Sequence, residues 1–189
     1  MSALKNDIAV AVYDWHSGVE RAIQALRRAG CNMQRISIVG RDDADQQRGL
    51  GFLDAEERAR IFGKLDAFWG SLPWLLLDSA AVFVPVRGFV FLLGAFAAAK
   101  LVALQNPIVS GRMSALAATM SAIGIPGTSL SRYESALKAH EFIVVVHGDE
   151  RDVYRARELL ETSGLVTFDH LIARAPEFAS PPSLQEQPP

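Results

Sequence analysis

The sequence predicts an α+β fold in which two similar halves flank an apolar insertion. Three observations carry this expectation. A β-rich run, an amphipathic helix and a second apolar run follow one another near the N-terminus. The same order returns near the C-terminus. Between them, positions 72–104 read LPWLLLDSAAVFVPVRGFVFLLGAFAAAKLVAL, more Leu, Val, Phe and Ala than one small domain needs. A chain of 189 residues has room for one core and such an insertion.

In the first half, Ile8–Tyr13 reads as a strand. Ser17-Gly18-Val19-Glu20 has the form of an N-terminal capping box, and Val19, Ala22, Ile23 and Leu26 recur at helical spacing up to a stop at Gly30. Arg35–Gly40 reads as a second strand. In the second half, Phe142–Val146 is a strand and Asp149 caps the helix that follows. Val153, Ala156, Leu159 and Leu160 form its apolar stripe, Gly164 ends it, and Val166–Ile172 is the last strand. Adding 134 to the first half aligns Val12 with Val146, Val19 with Val153, Leu26 with Leu160 and Gly30 with Gly164. Two βαβ units in one small chain predict a ferredoxin-like sandwich, spanning 1–40 and 129–174. Ile8–Val12 and Phe142–Val146 do not alternate polar with apolar, so both faces of the central strands are expected to be covered. Helices cover one face. A second protomer or the insertion must cover the other, which favours a homo-oligomer.

After a polar connector at 41–62, the insertion at 63–124 is expected to be helical. Gly63, Ala67 and Ser71 lie four apart, as do Gly94 and Ala98, and then Ser110, Ser114, Ala118 and Ala122. Such rows let helices approach closely. Pro85, Val86, Arg87 and Gly88 suit the turn of a helical hairpin from about Lys64 to about Leu104. Each arm then has roughly 17–21 residues, or about 25–31 Å, close to the thickness of a hydrocarbon core. Arg87 falls at the far headgroups, and Trp69 and Trp74 at the near interface. Asp78 falls mid-arm, where a lone carboxylate costs about 2.5–3.5 kcal/mol. The competing reading buries the hairpin in an oligomer, with Asp78 and Lys100 at solvated seams. Cations on both flanks, among them Arg58, Arg60, Lys64, Arg112 and Arg132, would keep both on the cytoplasmic side.

The totals exclude more than they assign. A formal charge of −2 gives no reason to expect nucleic acid. The single Cys31 rules out an intrachain disulfide and suits a reducing compartment. The N-terminus lacks the pattern of a signal peptide. His16, His140, His147 and His170 show no zinc-ligand spacing, and no phosphate loop, dinucleotide fingerprint or nucleophile elbow is present, so neither metal nor cofactor is expected. Asp14 with His16, and His147 with Asp149, follow equivalent strands of the repeat and are candidates to meet at one sheet edge. The Pro-rich tail at 175–189 reads as a disordered extension.

Four stretches carry a resemblance: IAVAVYDWHSGVERAIQALRRAG, RISIVGRD, GKLDAFWG at 63–70 and GIPGTSLSRYESALKAHEFIVVVHG at 124–148. In the last and most specific, Gly124 and Pro126 make a link, and Tyr133 and Glu134 lie on the following helix. Together they resemble the general stress protein 17M-like (YflT domain) family of bacterial proteins over nearly everything before the tail. The resemblance implies two α/β halves around a Gly-rich hydrophobic insert, stress-associated expression and no established enzymatic activity. The chain departs from that pattern at Asp78 and at Val86-Arg87.

The expected protein is therefore non-enzymatic, homo-oligomeric and associated with membrane lipid. Its domain would lie on the cytoplasmic face of the inner membrane, in a role in general or envelope stress tolerance. The alternatives are a soluble self-assembling scaffold, and a regulatory module with a small ligand near His16 and His147.

Overall fold

The computed structural model describes residues 7–42, 80–84, 88–94, 101, 114–164 and 167–172. Strand β1 (Asp7–Tyr13) leads into helix α1 (His16–Arg28), a 3-10 turn (Met33–Arg35) and β2 (Ile36–Asp42). A β-hairpin follows, made of β3 (Ala80–Val84) and β4 (Gly88–Leu93). Then come α2 (Ala115–Ala122), a second 3-10 turn (Gly127–Ser129), α3 (Leu130–Lys138), β5 (Phe142–Gly148), α4 (Glu150–Glu161) and β6 (Thr167–Ile172). The strands form one sheet in the order β3-β4-β2-β5-β1-β6, with every pairing antiparallel. The protein is of the mixed α+β class, as its sequence predicts.

The two halves interleave. Because β1 and β2 both pair antiparallel with β5, they run parallel to each other with β5 between them. α1 is the crossover that this arrangement requires. β5 and β6 are related in the same way across β1, with α4 as their crossover.

Every residue of β1 is buried, and β5 is buried from Ile143 onward. On one face of the sheet Ala9, Ala11, Tyr13, Ile36, Ile38, Val144 and Val146 meet Val19, Ala22, Ile23 and Leu26 of α1 and Val153, Ala156 and Leu160 of α4. On the opposite face Ile8, Val10, Val12, Val39, Val90, Ile143 and Val145 meet Met120 of α2, Tyr133 and Leu137 of α3, and Leu101. This double burial is the physical reason that the central strands lack alternation. The second face is covered from within the chain, by the end of the insertion and the helix after it. The apolar character of β1 and β5 therefore does not by itself require a second protomer.

The largest departure from the sequence reading lies at 80–93. Helical arms were expected there, and the chain forms two strands. Val84 pairs with Gly88 and Ala80 with Leu92, so β3 and β4 pair antiparallel and extend the sheet beyond β2. AAVFV and GFVFLL are short and rich in β-branched and aromatic residues, and a sheet edge was within reach. Gly94 accordingly does not belong to a helix-packing row. It follows β4 at φ +115°, with the backbone of β2 against it, and a Cβ there would run into the Ile36 carbonyl oxygen and lie 3.2 Å from the Ser37 Cα.

Smaller departures have local causes. Arg41 and Asp42 belong to β2 rather than to the polar connector. The capping box does not form. α1 begins at His16 with Trp15 at its N-cap and no side-chain cap, so Ser17 already lies inside the first turn. Glu20 instead accepts a bond from Gln24 Nε2 at 3.2 Å. The row continuing through Ser114, Ala118 and Ala122 resolves into separate roles. Ser114 caps α2 by accepting from the Ala117 N–H, while Ala118 and Ala122 are fully buried in the core shared with the sheet.

The two accounts of Gly94 separate on one substitution. In a helix pair, Gly94→Ala would be mild. Beside β2 it combines a left-handed φ with overpacking, and the expected loss is about 2–4 kcal/mol in urea unfolding. A change below about 1 kcal/mol would speak against the strand placement.

Candidate functional site

Three polar groups lie at the seams between elements, and they are the places where chemistry is available. The first joins α3 to β6. Asp169 pairs with Val10 across β1 and β6, so its side chain falls on the face that α3 covers. The fully buried Tyr133 donates its O–H to Asp169 Oδ2 at 2.5 Å. The preceding residue, Arg132, reaches the same carboxylate, with Nη1 at 2.8 Å from Oδ1 and 2.7 Å from Oδ2. One carboxylate thus holds two successive side chains of α3. Burial pushes the Tyr133 phenol well above its usual range, and the bond to Asp169 and its charge add to the shift, while Arg132 opposes it.

The helix that carries Tyr133 is aimed by the segment before it. Gly124 stands just past the end of α2 at φ +84°. Its N–H donates to the Ser121 carbonyl and that of Ile125 to the Met120 carbonyl, closing α2 in the Schellman pattern. Pro126 then starts the 3-10 turn, with the Ser129 N–H bonded to its carbonyl at 2.9 Å. Glu134 is half-buried beside Tyr133. GIPGTSLSRYE is therefore a joint that ends α2, turns the chain and locks α3 onto β6.

The second group joins β2 to β5. Ser37 and His147 are buried, with Ser37 Oγ 3.1 Å from His147 Nε2. A hydroxyl and an imidazole at this distance suit nucleophilic chemistry. Here Ser37 has no exposed surface and His147 only 5%. What the pair does in this packing is satisfy two polar groups inside an apolar sheet. The third group joins the end of β1 to the end of α4. Tyr13 Oη lies 2.8 Å from Ser163 Oγ, and Arg21 Nη2 donates to the Ser163 carbonyl at 3.3 Å. Burial pushes the Tyr13 phenol up to about 12, against smaller opposing pulls from Ser163 and Arg21. Cys31 is partly buried, and burial pushes its thiol up as well, as befits a spectator.

The sequence candidates fare unequally. Asp149 caps α4 as expected, accepting from the Asp152 N–H at 2.9 Å. The meeting of Asp14 and His16 with His147 and Asp149 does not occur. β1 and β5 are antiparallel, with Ile8 opposite His147 and Tyr13 opposite Phe142. Equivalent positions of the repeat therefore lie at opposite ends of the sheet, about 20 Å apart at the rise of a strand. Among the described residues no three or more His, Cys, Asp or Glu side chains are arranged to hold a metal. Gly88 opens β4, whereas Gly63, Ala67, Ser71, Pro85, Arg87 and Ala98 lie outside the described residues. Sequence reasoning missed Asp169, Ser37 and Ser163. Ser37 had a signal: it is a polar residue between two isoleucines in a strand.

By class this is an α+β domain whose described polar centres tie its elements together. Comparison with family models, with curated proteins and with solved structures finds no match for the chain.

Two measurements probe these ties. In a double-mutant cycle of Tyr133→Phe and Asp169→Asn, a coupling of about 1–3 kcal/mol is expected, and additive effects would mean that the bond does not form in solution. The Tyr13 phenol titrates near 10 in an unfolded chain and at about 12 in the fold. Its raised value contributes stability that is complete below pH 10 and lost as pH rises through 12. Urea unfolding across that window should show the decline, and Tyr13→Phe should remove up to about 3 kcal/mol of it.

Proposed function

We propose that this protein acts by association rather than by catalysis, as a membrane-associated homo-oligomer with a role in general or envelope stress tolerance. Its domain is ferredoxin-like. The support for that finer assignment is the order β6-β1-β5-β2, in which two interleaved βαβ units share one sheet. The non-enzymatic reading is supported by the way the polar groups are used: each described pair bonds one element to another. The link to stress rests on the resemblance of GIPGTSLSRYESALKAHEFIVVVHG.

The observation that carries the membrane reading is the excess of apolar sequence around the hairpin. β3 and β4 take 5 and 6 residues of the block at 72–104, with LPWLLL before them and AFAAAKLVAL after them. Among the described residues no helix is long and apolar enough to cross a membrane, so the proposed contact with lipid rests on those flanking sequences. The cations on either side of the insertion favour the cytoplasmic face of the inner membrane. A second reading, assembly without lipid, is favoured by β3, β4 and the buried Leu101, which draw part of the block into the sheet and its core.

Fractionation of the full chain decides between them. The membrane reading expects the protein in the pellet after a detergent-free spin, resistant to high salt and released by detergent. A discrete oligomer in the detergent-free supernatant would favour the second reading. A monomer there would sink both.

A further inference from the structure

The sequence repeat returns in the structure as a two-fold. Ala9 pairs with Val146 and Val12 with Ile143, and exchanging positions 134 apart turns the first pair into the second. α1 and α4 lie side by side on one face of the sheet. Arg21, in the second turn of α1, donates from Nε and Nη2 to the Ser163 carbonyl at 3.4 and 3.3 Å, just past the end of α4. Arg155, in the second turn of α4, donates from Nη2 to the Ala29 carbonyl at 2.5 Å, at the end of α1. Arg21 and Arg155 are 134 positions apart, and so are Ala29 and Ser163.

From this equivalence we infer that Arg21 and Arg155 form a reciprocal clasp, a conformational lock in which each half of the repeat holds the helix end of the other. The carbonyls at the end of a helix lack partners within it and carry partial negative charge, and a guanidinium answers both needs. α4 has no basic residue in its own last turn, so that cation comes from α1. Gly164 leaves room for it, since a Cβ there would lie 3.2 Å from Arg21 Nη2. A single bond of this kind is ordinary on an exposed surface. Two at equivalent positions, directed oppositely, tie the halves at both ends of the seam between α1 and α4. Each helix end then frays only when the opposite half lets go.

Amide hydrogen exchange on the full chain tests the clasp, with amides at the centre of β5 as the measure of global opening. The Gly30 and Cys31 N–H groups donate to the Arg27 and Leu26 carbonyls and report the end of α1. The Ser163 N–H donates to the Leu160 carbonyl and reports the end of α4. Arg155→Ala should speed exchange at Gly30 and Cys31 about threefold or more relative to β5, and leave Ser163 unchanged. Arg21→Ala should do the reverse, with Ser163 faster and Gly30 and Cys31 unchanged. Both arginines are exposed, so the variants should fold, with circular dichroism as the check. Arg21→Gln and Arg155→Gln carry the same expectation should an alanine variant not fold. A variant that changes nothing at the opposite helix end, or that speeds every amide as much as those of β5, would overturn the clasp.

Discussion

The structure depends on the burial of β1 and β5 on both faces. All seven residues of β1 are shielded from water, and β5 matches it from Ile143 to Gly148. A strand in this position needs two layers over it. α1 and α4 form one, packed through Leu26, Val153 and Leu160; α2 and α3 form the other, packed through Met120, Tyr133 and Leu137. Each such aliphatic side chain contributes about 1.5–3 kcal/mol by leaving water. The described parts of the segment between the halves, β3, β4, Leu101 and α2, are thus drawn into the sheet and its core.

Burial on this scale constrains every polar group that comes along. Ser37 and His147 satisfy each other between neighbouring strands, and Tyr13 and Ser163 do so between a strand end and a helix end. Tyr133 and Asp169 do so between the second helical layer and the outermost strand. Left without partners, such groups would each cost about 1–3 kcal/mol. Paired, they fix which element lies over which. The helix ends follow the same rule. α1, α2 and α3 each close with the Schellman pattern, and His140 takes the left-handed position after α3 at φ 62°, where glycine serves the other two.

The repeat was the most legible part of the sequence. The stripe Val19, Ala22, Ile23, Leu26 and its counterpart from Val153 face the sheet as expected, and Gly30 and Gly164 are both left-handed. The missing alternation in β1 and β5 correctly implied two covered faces, although it could not say what covered the second. AAVFVPVRGFVFLL satisfies a buried helix and a strand pair equally well by composition, and the outcome depended on a free position beside β2, which lies far away in sequence. Antiparallel strands were part of the sandwich expected from the sequence, and β1 and β5 run so, but the placing of the histidines did not follow from it. A repeat in sequence carries no sign of strand direction, so His16 and His147 were placed together when they lie at opposite ends. Tyr133 was singled out from its motif, but its partner on β6 depended on a register that no local pattern encodes.

Interleaving also sets an order of events for the newly made chain. β1 and β2 emerge first, yet neither pairs with the other; β1 bonds only to β5 and β6, and Tyr13 finds Ser163 at a separation of 150 positions. β1 therefore has no lasting neighbour until β5 is synthesised. A domain so dominated by distant partners folds slowly for its size, and its greasiest strands stay uncovered meanwhile. Protein made under heat or crowding is then most vulnerable in the interval between the synthesis of β1 and that of β5.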